Sequence, residues 1–211
     1  MNYNYIAIEG NIGAGKTTLA TQLAVEFDAR IILEQFEDNS FLPKFYTDPD
    51  RFAFPLELSF LADRFQQLKT HLGSPDLFRQ LTISDYFIHK SLIFALKTLA
   101  NDEFILYSKL FSIIDAALPK PDLLVYLYLE IGQLKKNIHK RGRAYELNID
   151  ENYLERIQSG YFDYLRQQQD MRILIIDTNN VDFVINKGDY NLLLDIICQP
   201  YEKGIHRIKP K

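Results

Sequence analysis

The run Gly10-Asn11-Ile12-Gly13-Ala14-Gly15-Lys16-Thr17 fits the spacing G-x-x-x-x-G-K-[ST] at every position. The chemistry it supports is phosphate binding. Glycines let backbone N–H groups turn inward around phosphate oxygens, and a helix N-terminus behind them adds partial positive charge. Lys16 is placed to reach terminal phosphates and the Thr17 hydroxyl to ligate Mg²⁺. A fortuitous glycine-rich turn is the plain alternative. The flanks argue against it, because the strand-like run Tyr5–Ile8 precedes the motif and a helical pattern, Lys16–Phe27, follows. The segment predicts a nucleoside triphosphate site with Gly10, Asn11, Gly13, Ala14, Gly15, Lys16, Thr17 and Thr18 around the phosphates. By itself it leaves open whether the phosphoryl group passes to water, to a protein or to a small molecule.

Two further groups suit phosphoryl transfer. Glu34 ends the apolar run Ile31-Ile32-Leu33, where a carboxylate can accept a proton from an attacking hydroxyl or position that hydroxyl. An exposed glutamate opening a loop is the other reading. The densest basic stretch, Lys136–Arg143, sets Arg141 and Arg143 around Gly142, an arrangement suited to a segment that closes over phosphates and excludes water. The alternative there is a solvated basic helix end, favourable to the helix dipole.

These residues need a scaffold. Short β-rich runs at Tyr5–Ile8, Arg30–Leu33, Leu81–Ser84, Leu123–Leu129 and Arg172–Ile176 predict five strands. Helical spacing predicts helices over Lys16–Phe27, Phe52–Leu72, Phe87–Leu99, Phe104–Ala117, Ile131–Lys140 and Asn152–Gln168. Alternation of this kind implies an α/β fold: a parallel five-stranded sheet flanked by helices on both faces, three layers in all. Ligand sites in such sheets lie at the carboxyl ends of the strands, where Glu34 and the glycine-rich loop fall. The chain of 211 residues suits one domain over 1–211, with a lid near 136–150 and a polar tail, 201–211, expected to be loose.

Composition narrows the partners. A net charge of −4 argues against nucleic acid and anionic membranes, so any phosphate site is a local basic pocket. The single cysteine, Cys198, excludes an internal disulfide, fits a reducing cytoplasm, and reads as a buried apolar residue. No apolar run approaches the ~20 residues a membrane helix needs, and the first ten residues lack the pattern of a signal peptide.

Several segments, in order, resemble the deoxynucleoside kinases. They are IEGNIGAGKTT (8–18), Leu33-Glu34, EDNSFLPKFYTDPDRFAF (37–54), Arg64, KPDLLVYL (120–127), KRGRAYE (140–146) and ILIIDTNNVDF (173–183). The resemblance implies a P-loop kinase fold, ATP as phosphoryl donor, Mg²⁺ held with the help of Thr17 and Asp85, a nucleoside acceptor and a homodimer. It implies that Glu34 is the base acting on a 5′-hydroxyl, that Arg64 steadies it, and that Arg141 and Arg143 reach phosphates. It also implies that Tyr46 and Glu146 share the sugar 3′-hydroxyl. Phe52 and Phe54 themselves read as pocket walls for a flat base rather than as solvent-facing residues. The loop 177–183 would frame the adenine of ATP, and the stretches Phe87–Leu99 and Phe104–Ala117 would supply the dimer interface.

Two departures from the resemblance stand out. Where the family has a base-reading glutamine, this chain has Glu57. An ionised carboxylate only accepts hydrogen bonds, which suits the paired N1–H and N2–H₂ donors of a guanine-like edge; a pterin has a similar edge. Pairing of Glu57 with Arg51 or Arg64, away from any base, is the alternative. Second, the family's acid-Arg-Ser reads Asp85-Tyr86-Phe87 here, which keeps the acid and loses the arginine. His89 and Lys90 are the nearest cationic replacements, though a lysine offers a point charge rather than a fork. The sequence therefore predicts a kinase of a purine deoxynucleoside. The alternatives are a nucleoside monophosphate kinase of the thymidylate kinase type, or a weakly active nucleotide-binding relative.

Overall fold

The computed structural model describes residues 3–35, 39–73 and 78–210. Glu37 and Asp38, which open the segment 37–54, lie outside the described residues. Its centre is a parallel sheet of β1 (Tyr5–Gly10), β2 (Arg30–Ile32), β3 (Thr82–Ser84), β4 (Leu123–Tyr128), β5 (Arg172–Asp177) and β6 (Gly204–Ile208), in the order β2-β3-β1-β4-β5-β6. The helices are α1 (Lys16–Glu26), α2 (Leu42–Thr47), α3 (Pro49–Leu72), α4 (His89–Thr98), α5 (Asn101–Asp115), α6 (Ile131–Arg141), α7 (Glu151–Gln167) and α8 (Lys187–Ile197). A short 3-10 turn, Ala144–Glu146, joins α6 to α7.

The central strands β1, β4 and β5 are largely apolar because both of their faces are covered. Ile6, Ile8, Leu123, Val125, Leu127, Leu174 and Ile176 pack with Leu19 and Leu23 of α1, Leu134 and Ile138 of α6, and Leu193 and Ile197 of α8. The intervening residues Ala7, Leu124, Tyr126, Ile173 and Ile175 face Leu61 and Leu68 of α3, Ile93 of α4, Tyr107 and Phe111 of α5, and Ile157 and Tyr161 of α7. This strict alternation divides the core into two slabs around the sheet.

Two sequence expectations change. The sheet has six strands, not five, because the tail expected to be loose carries β6 and pairs in register with β5 from Arg172↔Gly204 to Ile176↔Ile208. Cys198 caps the end of α8 and is only partly buried. Among the described residues, no helix is long and apolar enough to cross a membrane.

The order of strands creates the site. β1 has β3 on one side and β4 on the other, so the chain leaves its carboxyl end into the crevice where the strand order reverses. A third apolar cluster, Leu42 and Phe45 of α2 against Ala53, Leu56 and Phe60 of α3, builds an annex beside that crevice.

Candidate active site

The phosphate loop turns immediately after β1. Gly13 and Gly15 hold φ of +85° and +87°, in the left-handed region that disfavours side chains. A Cβ on Gly13 would lie 2.8 Å from the Leu134 carbonyl oxygen, and one on Gly15 would lie 2.8 Å from Phe183 Cζ. Gly15 is the N-cap of α1 and no side chain caps the helix, so its first-turn N–H donors are available to an anion. Lys16 arches back to the Asn11 carbonyl oxygen at 3.0 Å. The Asn11 side chain is turned away, with its amide donating to the Leu154 carbonyl oxygen on α7 at 2.8 Å. Burial first, then the neighbouring Lys90 ammonium, lowers the Lys16 pKa to about 8. Ala14 is buried, while Thr18 on α1 lies outside the cavity lining.

Glu34 sits opposite. Arg64 Nε and Nη2 donate to its Oε1 at 2.8 and 2.7 Å, and Lys90 Nζ donates to its Oε2 at 2.5 Å. The third arginine nitrogen, Nη1, donates to Ser91 Oγ at 2.7 Å. Burial pushes the Glu34 pKa up, but Lys90, Arg64 and Lys16 outweigh it and hold the carboxylate well below its usual range. The strand end is pinned by Gln67 of α3, which donates to the Leu33 carbonyl oxygen at 2.7 Å and accepts from the Tyr86 hydroxyl at 2.6 Å. Asp85 bridges the two sides: its Oδ2 accepts from Thr17 Oγ1 at 2.5 Å and its Oδ1 from the Glu34 backbone N–H at 2.7 Å. Thr17 and Asp85 thus form an all-oxygen donor pair of the kind that suits a hard cation completed by phosphate oxygens.

The position of the missing arginine is now explicit. Tyr86 is fully buried beneath the site. Lys90, in the first turn of α4, occupies the space beside Glu34 instead. His89 does not help. It stacks on Phe87 with ring centroids 4.6 Å apart, meets Phe111 and Tyr164, and burial followed by the Lys120 charge lowers its pKa to about 4. Its 3.5 Å approach to Asp115 is therefore not an ion pair at neutral pH.

From Glu34 a single cavity runs between α2, α3, α4 and α7, and Tyr46, Glu57, Arg141, Arg143 and Glu146 line it. Arg141 and Arg143 both pair with the buried Glu146, the latter at 3.5 Å. Tyr46 stacks on Tyr145 with centroids 6.0 Å apart, and burial together with the Glu146 charge keeps its hydroxyl protonated. The expected lid begins on a fixed helix: Asn137 donates to the Gly13 carbonyl oxygen at 2.9 Å, and Ile138 packs against Gly13. Gly142 ends α6 in the left-handed region with φ of 74°. The loop 177–183 lies against the phosphate loop through Phe183, whose carbonyl oxygen accepts from Gln22 of α1 at 3.1 Å.

Glu57 is 2% exposed at the apolar end, and its Oε1 accepts from Thr98 Oγ1 at 3.1 Å. Burial raises its pKa to about 7, against the opposing pull of Arg64 and the Thr98 hydrogen bond. Arg64 spends its three nitrogens on Glu34 and Ser91, and Arg51 lies over the Phe52 ring, so neither provides the expected alternative partner. Phe52 and Phe54 do not line the cavity: Phe52 lies under Lys44 and Arg51, and Phe54 joins the core. Phe45, Phe60, Phe94 and Tyr153 form the walls instead. Sequence reasoning also missed Glu9. It is buried, accepting from the Phe87 backbone N–H at 2.7 Å and the Tyr161 hydroxyl at 2.9 Å, and it ties β1 to the segment that carries Lys90.

A parallel sheet whose central strand feeds a phosphate loop, beside a pocket with a clamped carboxylate, defines a P-loop kinase of small molecules. The family model described as deoxynucleoside kinase matches residues 6–199, and the chain belongs to that family. It is 40% identical over 193 residues to a deoxyguanosine kinase of Bacillus subtilis (strain 168), covering 88% of this chain and 92% of that one. It is 28% identical over 201 residues to a deoxyadenosine/deoxycytidine kinase of the same organism, covering 92% and 91%. A solved deoxyadenosine kinase from M. mycoides with bound dATP has the same fold, with a TM-score of 0.78 at 23% identity, covering 92% of this chain and 99% of that one. The protein is thus a deoxynucleoside kinase.

Proposed function

We propose that this enzyme transfers the γ-phosphoryl group of ATP to the 5′-hydroxyl of a purine deoxynucleoside, with a guanine edge preferred. The carrying observation is Glu34, clamped between Arg64 and Lys90 at the junction of the phosphate loop and an apolar pocket. The incoming hydroxyl donates to Glu34. As its oxygen bonds to the γ-phosphorus, the bond to the β–γ bridging oxygen breaks and the hydroxyl proton passes to Glu34. A carboxylate held so far below its usual range is a weak base, so its main part is to orient the hydroxyl and take the proton late, as a loose transition state allows. The loop from Gly10 to Thr17, with Lys16, holds the donor phosphates. Mg²⁺ would be held by Thr17 and Asp85 and would neutralise charge on the transferring group. Arg143 turns from Glu146 to the phosphates when the segment beyond Gly142 closes, and Arg141, at the end of α6, reaches them by rotation of its side chain. Tyr46 and Glu146 take the sugar 3′-hydroxyl, and Glu57 takes the N1–H and N2–H₂ donors of the base. The 40% identity to a deoxyguanosine kinase supports the same base.

The chain works as one kinase domain in the cytoplasm. A homodimer is favoured by an exposed apolar stripe on α4 and α5: Leu96, Ile105, Leu106, Leu110 and Ile113, the last 72% exposed. The test of the function is ATP consumption with Mg²⁺ against deoxynucleosides, nucleosides, their monophosphates and a pterin, with Glu34→Gln as control. Glu34-dependent turnover that is fastest with deoxyguanosine is expected. Better turnover of deoxycytidine, or of any monophosphate, overturns the reading.

A further inference from the structure

Glu57 meets the cavity with a carboxyl group that can exist in two forms, and its surroundings accommodate both. Its one hydrogen-bond donor among the described residues is Thr98, whose single hydroxyl hydrogen has two acceptors in reach: Glu57 Oε1 at 3.1 Å and the Phe94 carbonyl oxygen at 3.0 Å. With Glu57 ionised, the hydroxyl donates to the carboxylate. With Glu57 protonated, it turns to Phe94, so the Thr98 hydroxyl has an acceptor in either state and the Glu57 O–H is left for a ligand in the cavity. The ionised form offers two acceptors, matching the two donors of guanine. The protonated form offers an O–H donor beside a carbonyl acceptor, matching the N1 acceptor and N6–H₂ donor of adenine. We propose that Glu57 selects the base by its own protonation, so that the enzyme's preference between a guanine edge and an adenine edge is set by pH. The proposal rests on the reading of Glu57 as the base contact.

The groups that face Glu57 support this assignment. Arg64 on its own helix and Lys90 of α4 favour the charged form, while Glu34 opposes it with a charge those same cations neutralise. The remaining neighbours that ionise are the phenols Tyr46 of α2, Tyr107 of α5 and Tyr153 of α7, all kept neutral by burial and by nearby charge or phenols. Burial against these cations puts the Glu57 transition at about pH 7, so both forms are populated at working pH. Lys16 changes charge near pH 8, but it acts at the phosphate end on both substrates alike.

The experiment is kcat/KM for deoxyguanosine and deoxyadenosine from pH 6 to 8.5, a window in which neither base ionises. Titrations common to both substrates cancel in the ratio. If one substrate needs the ionised form and the other the protonated form, the ratio rises about tenfold per pH unit across the whole window. Glu57→Gln, which keeps a donor beside an acceptor at every pH, is expected to favour deoxyadenosine with a ratio independent of pH. A pH-independent wild-type ratio overturns the proposal, as does deoxyadenosine turnover below detection at pH 6. If deoxyguanosine turnover still collapses in Glu57→Gln, Glu57 as the guanine contact survives that failure. If Glu57→Gln leaves deoxyguanosine turnover intact, both readings fall.

Discussion

The two ends of the cavity treat a buried carboxylate in opposite ways. At the phosphate end Glu34 is surrounded by Arg64, Lys90 and Lys16, and its pKa is driven down. At the base end, Glu57 has apolar walls, one hydroxyl partner and more distant cations, and its pKa rises to about 7. Both are buried, so burial alone does not set the charge; the distance to a compensating cation does. The phosphate end is built to hold charge fixed while phosphoryl transfer proceeds, and the base end to recognise a flat polar edge.

The comparison breaks most visibly at Glu34. Glu34→Gln is expected to lower kcat by about 10² to 10⁴ with deoxyguanosine as acceptor, as loss of a positioned acid–base group typically does. It also leaves Arg64 and Lys90 facing a neutral amide, so thermal unfolding should shift downward. At the other end the sign is reversed. The folded Glu57 binds its proton more tightly than an unfolded glutamate of pKa 4.5, so its contribution to stability is full below pH 4.5 and is lost as pH rises through about 7. At about 1.4 kcal/mol per pH unit, the loss reaches up to about 3 kcal/mol. Glu57→Gln should therefore gain stability relative to wild type at pH 8 and little at pH 5, as measured by urea unfolding at both values. The smallest expected effect is at Lys90. Lys90→Met leaves Glu34 with Arg64 alone, and kcat should fall about tenfold; loss of a charge that favours ionised Glu57 should also move base preference toward deoxyadenosine at a given pH. An unchanged base preference in that variant would mean that the Lys90 charge does not reach Glu57.

How much of this was legible in the sequence differs along the same axis. The phosphate end was readable because its glycines, Lys16 and Thr17 are contiguous and bracketed by a strand and a helix. The base end is assembled from α2, α3, α4 and α7, and its walls Phe45, Phe60 and Phe94 carry the same helical spacing as core residues. Phe52 and Phe54, read as walls for the base, lie outside the cavity lining, and nothing in their spacing separates a wall from a packing face. The strand β6 was missed because it is an edge strand of half-exposed residues with no apolar alternation. The short α2 has too few turns for a period to show, whereas α8 carried a usable signal in Asn186 followed by Tyr190, Leu193 and Ile197.

The sheet order also governs how the molecule comes into being. β1 acquires its neighbours only when residue 5 meets residue 82 and residue 6 meets residue 123, and among the described residues every strand pairing is parallel, with no local hairpin. The entropy of closing those loops is lost before the pairings return anything, which slows folding and leaves strand edges open to other chains in the interval. The phosphate loop is the continuation of β1, so the nucleotide site matures only after the most distant segments have met. Nucleotide present during refolding would therefore bind an assembled centre rather than guide its assembly.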